Sequence, residues 1–568
     1  MLRLILFSVL FLSVYCNEDQ NARIVNTEEG PVQGNKYWDG DFYQFYGIPY
    51  ALAPSGRDKF KAPLPVKPRK ELYVSKTENV VCQQTVYTGE DEDEEDKYLN
   101  GEEDCLLMNL LVPEIASEEN LVPVIVYIHS GAFAGGAGTM SKLNYVSHRD
   151  VIGISFNYRV GALGFACLGT EEIPGNAALK DTLAALKWIN KNIKNFGGDP
   201  DNVTLAGYSV GATIAELMAL SKQTEGLFNK LILESGSALT PYSINRHPVT
   251  TAKNIAISMG FNNTGSLKDL NEFYLNASII SMATKSLNFF LKNSTFGFAP
   301  CIESPQNKQP FLTESPLDIL KRKDVRPIAV LTGLANFEGL SRATKFDEWS
   351  EMMNKNFADF IPADLKFKDE KTKQSVAKEI YQYYFKGEEV THDNVRAYID
   401  YFSDSMFKYA IMKSAKLHAA RATKPVYVYE FSYFGELSAQ HRFMDKITGA
   451  SHRDQTAYIL DFHGYTKKRR DLDTRDRLTW MWTDFVKYED PTAYESSLID
   501  TKWRKYSNEK PYHLSIGSKL QMKKNLLADA FNFWDKLYEK YYWNPTSVSV
   551  IVIIYYNKVL KEVEFGVV

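Results

Sequence analysis

A chain of 568 residues carries 66 Lys and Arg against 70 Asp and Glu, a formal net charge of −4. That balance, with no basic stripe, excludes the electrostatic footprint of a nucleic-acid binder. A hydrophobic content of 44% beside 24% charged residues suits a globular protein with a large core, and 13% aromatic content suits a large apolar pocket.

Residues 1–16 read as a secretory signal. Arg3 supplies the positive start, Leu4 to Val14 form an apolar run too short to span a bilayer, and polar Asn17-Glu18-Asp19-Gln20 follow a cleavage near Cys16. A secreted, extracellular chain meets an oxidising compartment, where the four remaining cysteines, Cys82, Cys105, Cys167 and Cys301, make an even set. Four sequons fit the same compartment, at Asn202, Asn262, Asn276 and Asn293. Asn202 sits against a buried strand and is the poorest acceptor of the four.

Ile24-Val25 and Gly30 to Gly34 read as short strands, and Phe45 to Ala51 leads into a Pro-rich stretch through Pro68. The acidic run Glu90 to Asp96 reads as a solvated loop. It lacks the ligand spacing of a calcium loop, and no metal or cofactor is expected. Val122 to Ile128 is a continuous apolar run, the pattern of a strand buried on both faces of a parallel sheet, and it enters His129-Ser130-Gly131-Ala132-Phe133. Val151 to Phe156 predicts the next strand, Ala178 to Phe196 an amphipathic helix, and Leu231-Ile232-Leu233 a further strand. Strands alternating with helices predict an α/β fold with a mostly parallel central sheet. No linker, repeat or composition break interrupts residues 20–545, so a single domain over 17–545 with long insertions is expected. Residues 546–568 form a separate tail, whose nine-residue apolar run, Val548 to Tyr556, is too short for a membrane helix. No membrane span is expected, the tail has no assigned role, and monomer and homodimer stay open.

Between these elements lies Gly207-Tyr208-Ser209-Val210-Gly211. Val203 to Ala206 before it reads as a buried strand and Ala212 to Met218 after it as a helix. A serine on a tight turn between strand and helix is the setting that G-x-S-x-G needs for nucleophilic chemistry. Such a serine requires a base in reach and an acid to orient the base. His452 follows a glycine-containing turn, where its ring could reach the sheet edge.

FYGIPYALAPSGRDKFKAPLP (45–65) resembles the entry segment of the type-B carboxylesterases, the family that also contains the cholinesterases. GEEDCLLMNLLVP (101–113) resembles that family's next signature, and Phe533-Trp534 with Tyr538 its final helix. The resemblance implies an α/β-hydrolase fold with flanking helices and a cofactor-free serine esterase acting on a small-molecule ester. GASHRDQTAYIL (449–460) resembles the histidine loop and LTGLANFEG (331–339) the acid loop, which makes Glu338 the partner of His452 and Ser209 the nucleophile. By the same resemblance Gly131, Ala132 and Val210 supply the oxyanion N–H groups, and Cys82 pairs with Cys105. Cys167 and Cys301 remain as a pair whose formation the sequence leaves open. Ser130 replaces the first glycine of the commoner His-Gly-Gly pattern, a strained choice if that position requires positive φ.

Two absences argue against a choline substrate. No Trp lies between Cys82 and Cys105, where cholinesterases place the indole that faces the ammonium, and Tyr208 stands where they carry Glu. A neutral, apolar ester is expected, with Phe133, Tyr208, Phe296, Phe298 and Phe337 as candidate walls. LGFACLGTEEIPGNAALKD (163–181) and AGYSVGA (206–212) are most similar to secreted insect esterases of detoxification or of odorant and pheromone breakdown. The rivals are a non-catalytic adhesion relative of the neuroligin or glutactin kind, which typically loses triad residues, and a juvenile hormone esterase, whose usual Gln before the nucleophile is absent.

Overall fold

The computed structural model describes residues 21–546, except 39, 76–79, 88–96, 263, 286–290, 323, 422, 440–442, 444–446, 462 and 463. The expected signal, the acidic run from 90 to 96 and all but the first residue of the tail lie outside the described residues.

The strands are β1 (Ala22–Thr27), β2 (Gly30–Lys36), β3 (Phe42–Pro49), β4 (Tyr73–Val74), β5 (Gln84–Tyr87), β6 (Lys97–Asn100), β7 (Leu107–Pro113) and β8 (Val122–Ile128). They continue as β9 (Ile152–Phe156), β10 (Gly198–Tyr208), β11 (Lys230–Glu234), β12 (Ala329–Ala335), β13 (Val426–Phe431), β14 (Tyr512–Ile516) and β15 (Leu520–Lys524). All but β5 and β6 join one 13-stranded sheet in the order β1-β2-β3-β7-β9-β8-β10-β11-β12-β13-β14-β15, with β4 beside β2. Its centre, β9-β8-β10-β11-β12-β13-β14, is parallel throughout. Antiparallel pairs close both edges, so the sheet is mixed but mostly parallel.

The apolar runs explain the layering. In β8, Val124, Val126 and Ile128 face one hydrophobic core, while Ile125 and Tyr127 face a second on the other side. Helices cover both faces, as a sheet buried on both sides demands. The first core takes residues from α1 (Ala177–Asn192), α2 (Val210–Leu220), α3 (Val395–Ser403), α4 (Tyr409–Ala419) and α6 (Ala528–Tyr541). The second takes Leu478, Met481, Trp482 and Phe485 of α5 (Arg469–Tyr488). The expected helix 178–196 divides into α1 and a 3₁₀ turn, Ile193–Phe196, stopped by Gly197 at φ 85°.

Both disulfides are formed, Cys82 to Cys105 with Cα atoms 4.9 Å apart and Cys167 to Cys301 at 6.6 Å. Closing a loop of the first length is worth on the order of 3 kcal/mol in the chain-entropy account. Among the described residues no helix is long and apolar enough to cross a membrane, and no acidic, His or Cys cluster could hold a metal ion.

Candidate active site

Ser209 follows β10 and is the N-cap residue of α2, in a turn with no room for side chains at Gly207 and Gly211. A Cβ on Gly207 would meet Gly211 C at 2.5 Å, and one on Gly211 would meet Ile128 O at 2.3 Å. The close approach of strand and helix therefore requires both glycines. Ser209 lies at φ 54°, ψ −123°, and its side chain makes no capping hydrogen bond. A non-glycine residue there costs on the order of 1–3 kcal/mol, a strain held in place by the surroundings. Its N–H donates to Glu234 O at 2.8 Å, which ties the turn to β11.

Glu338 begins a 3₁₀ turn just beyond β12 and is fully buried. Its Oε1 accepts from Ala335 N at 2.8 Å, and its Oε2 lies 2.6 Å from His452 Nδ1. A carboxylate only accepts, so Nδ1 carries the proton and Nε2 is left as the basic nitrogen. The two loops are stitched together. Phe337 N donates to Ala450 O at 2.9 Å, Ala450 N donates to Asn336 Oδ1 at 2.8 Å, and Phe337 and Ser451 form a β-bridge. Asp454 accepts from Ser451 N and Ala439 N, and its burial pushes its carboxyl up to about 6. The histidine loop also reaches the turn after β11, where Gln455 Nε2 donates to Ser235 Oγ at 2.8 Å, and the Tyr208 and His452 rings are 6.3 Å apart. His452 Nε2 makes no hydrogen bond among the described residues. Catalytic bonds of this kind commonly tighten only when substrate is bound.

The loop after β8 corrects the concern over Ser130. Ser130 does not take positive φ; Gly131 (124°), Ala132 (52°) and Phe133 (63°) do. The conformational demand falls one residue later, so serine is unstrained where it stands. A Cβ on Gly131 would meet Gly135 O at 2.0 Å, so that glycine is required. Among the described residues the N–H groups of Gly131 and Ala132 have no acceptor and are free to donate to an anion. Gln84, which the sequence did not single out, fixes this loop by donating to Gly136 O at 2.9 Å and accepting from Gly136 N at 2.7 Å. Burial lowers His129 to about 4, so its ring is neutral where it stacks 4.1 Å from Tyr158.

The candidate walls divide. Phe133 and Phe296 are 6.3 Å apart, Phe296 lies 4.8 Å from Tyr242, Tyr242 lies 5.8 Å from Phe407, and Phe407 lies 4.5 Å from His452. Phe133 and Phe296 thus belong to a continuous aromatic line that ends on the imidazole. Tyr242 and Phe407 complete it, although neither carries a sequence signal. Phe298 is buried and makes no ring contact in that line. Phe337 packs against Gly449 with Arg396 4.4 Å over its ring, so it turns away from His452. Adjacent residues on a tight turn point apart, and Glu338 takes the inward direction.

The model of the carboxylesterase family matches residues 21–534. The chain belongs to the carboxylesterase family. This carboxylesterase is 31% identical to Esterase FE4 of Myzus persicae over 88% of its own length and 89% of the relative's. It is 31% identical to Venom carboxylesterase-6 of Apis mellifera over 84% and 88% of the two chains, and 28% identical to Juvenile hormone esterase of Tribolium castaneum over 94% and 97%. The crystal structure of Juvenile Hormone Esterase from Manduca sexta, with OTFP covalently attached, superposes with a TM-score of 0.79 at 27% identity, covering 91% of this chain and all of the other. The fold is therefore that of an α/β-hydrolase, and the protein is a carboxylic ester hydrolase.

Proposed function

We propose that this carboxylesterase cleaves neutral, apolar esters through an acyl-enzyme on Ser209. The observation that carries the reading is the 2.6 Å contact between His452 Nδ1 and the buried Glu338 carboxylate, on two loops stitched to each other. Ser209 Oγ attacks the ester carbonyl while His452 Nε2 takes its proton. Glu338 holds the imidazole in one tautomer and stabilises the charge it gains. The N–H groups of Gly131, Ala132 and Val210 receive the oxyanion, an arrangement in which each donor is worth about 10²–10³ in turnover. The alcohol departs with the proton from His452. Water then gives a proton to His452, attacks the acyl carbon, and frees the acid and Ser209.

The chain is a secreted, extracellular protein in this reading, supported by its apolar first 16 residues and its two disulfides. The sequons at Asn262 and Asn276 are exposed, whereas the Asn202 carbonyl is taken by Lys230, which supports glycosylation at the first two. Esters of detoxification or odorant clearance are the substrate class. The likeness to two juvenile hormone esterases supports a hormone ester as the second reading. Hydrolysis of nitrophenyl acetate and butyrate by purified secreted protein is the test. No turnover by wild type would overturn the catalytic reading in favour of a binding role.

A further inference from the structure

Asn336, the residue after β12, is a junction. Its N–H donates to Phe431 O at 2.9 Å, at the end of β13. Its Oδ1 accepts from Ala450 N at 2.8 Å in the histidine loop. Its carbonyl accepts from Lys408 Nζ at 2.7 Å. Glu338 lies two residues beyond Asn336, and His452 two residues beyond Ala450. The place of Asn336 therefore bears on both partners of the 2.6 Å contact between Glu338 and His452.

Lys408 ends the π-helical turn Asp404–Lys408 between α3 and α4, and every residue from Ser403 to Lys408 is buried. Lysine is almost never buried without a partner. Its ion-pair partner is Asp404, at a long 3.9 Å, and that carboxylate also accepts from Tyr384 Oη at 2.9 Å. The short contact of the ammonium is with the acid loop, not with the acid. Satisfying one carbonyl does not by itself repay the burial of an ammonium. What the charge adds is a stronger and shorter tie than a neutral donor makes. The same segment meets the site twice more. Ser403 Oγ accepts from Gly339 N at 2.8 Å, where a Cβ on Gly339 would meet Ile399 O at 2.2 Å, so the acid loop is pressed against the end of α3. The Phe407 ring rests 4.5 Å from the imidazole. One buried segment thus holds the acid loop on both sides of Glu338, at Asn336 and at Gly339.

We propose that Lys408, helped by Ser403, is a positioning residue for ester hydrolysis: its ammonium fixes the Asn336 carbonyl and, through Asn336, the setting of Glu338 against His452. The proposal rests on the esterase reading above and adds to it a residue that acts through others. With the tie cut, the acid loop gains freedom and the imidazole spends less time in the productive geometry. Chemistry slows, and ester binding is untouched.

The test measures kcat and KM for nitrophenyl acetate in Lys408→Met, which keeps an unbranched apolar stem and removes the charge. kcat falls about tenfold while KM stays within about twofold, because a small misplacement of a catalytic group costs rate. The same substitution in a Glu338→Gln background costs less than about threefold, since groups that act through one contact do not add. Lys413→Met is the control. Lys413 lies on α4 and pairs with Asp535 at 2.7 Å, and its removal leaves kcat unchanged. Unchanged kcat in folded Lys408→Met, or a loss that multiplies in full with that of Glu338→Gln, makes the lysine merely structural and overturns the proposal. If Lys408→Met is not recovered folded, Ser403→Ala removes one oxygen from the same tie: a loss of about threefold in kcat at constant KM supports the proposal, and no change overturns it. Wild-type acetate turnover, and its loss in Ser209→Ala, report separately on the esterase reading, so the two failures are distinguishable.

Discussion

Among the described residues two constellations of serine, histidine and glutamate stand out, and in the reading proposed above the first is the one arranged for chemistry. At the first, Glu338 takes one side of His452 and leaves Nε2 free beside the Ser209 turn. At the second, the buried Glu216 of α2 accepts from His418 Nε2 at 2.8 Å, from Ala238 N at 2.6 Å, from Ser237 Oγ at 2.9 Å and from Ser414 Oγ. The other nitrogen of His418 is met by Arg421 Nη1 at 3.2 Å. Both ring nitrogens are therefore spent, and the cluster is sealed from solvent. Burial pushes the Glu216 carboxyl up, but the donors from His418, Ser414 and Ala238 outweigh it and hold the carboxyl below its usual value. This cluster clamps α2, the turn after β11 and α4 together. Residue types alone do not make a triad: a nitrogen with no partner and a path to solvent do.

The largest expected effect tests that contrast directly. Ser209→Ala should lower kcat by roughly 10⁴–10⁶, as loss of a nucleophile that acts in a unit does elsewhere, with the melting temperature unchanged. His452→Ala added to it should cost little more; losses that multiply would show that His452 is not the base. At the sealed cluster the pattern inverts. His418→Ala removes one of the four donors to a buried carboxylate, a change that costs about 1–3 kcal/mol, so chemical denaturation should shift while the protein that stays folded keeps its KM. Activity loss at His418→Ala with normal stability would reverse the assignment of the two clusters.

A smaller effect concerns substrate charge. Tyr208 places a neutral ring 6.3 Å from His452 where a carboxylate would attract a cation. Acetylcholine should therefore show a kcat/KM about 10- to 100-fold below its uncharged isostere 3,3-dimethylbutyl acetate, from the loss of one or two contacts of 1–2 kcal/mol each. Equal turnover of the two would mean that an aromatic elsewhere in the chain serves the cation. Ser130→Gly sharpens the oxyanion loop: because Ser130 lies outside positive φ, the change should alter kcat by less than about threefold.

The sequence was most legible where one strand carries its own signal. β8 is a continuous apolar run, and the strand, turn and helix around Ser209 follow one another within a few residues. Glu338 and His452 are 114 residues apart, and nothing local says that they touch. Their pairing depends on β12 lying beside β13, a neighbour relation of the sheet, and only the family resemblance pointed to it. Resemblance could not orient Phe337, because the direction of its ring depends on which residue of a 3₁₀ turn faces inward. Phe407 looks like any core residue of a helical segment until the π-helical turn Asp404–Lys408 is seen to bring it to the imidazole. The Cys167–Cys301 bridge spans 134 residues and was open for the same reason.

Glu234 offers the finest test of what separates the two clusters. Like Glu216 it is fully buried, but it has only two neutral donors, Tyr127 Oη at 3.3 Å and Trp482 Nε1 at 3.2 Å, and its Oε2 has no partner. Desolvation outweighs them and pushes the carboxyl up to about 8. The unfolded chain titrates near 4.5, so between about 4.5 and 8 the native state holds a proton that the unfolded state has released. Its contribution to stability is complete below 4.5 and falls as pH rises to about 8, the reverse of Glu216, whose contribution is lost as pH falls. Glu234→Gln keeps the shape and one acceptor and removes the titration. Between pH 5.5 and 8.5 the melting temperature of wild type should therefore drop by a few degrees more than that of Glu234→Gln. The same slope in both proteins would mean that Glu234 is ionised in the fold and that the count of donors does not decide the state of a buried carboxyl here. Because Glu234 O also receives the Ser209 N–H, the esterase pH profile is a second readout. A decline of activity above pH 8 in wild type, absent from Glu234→Gln, would trace that decline to the strand end that holds the serine turn.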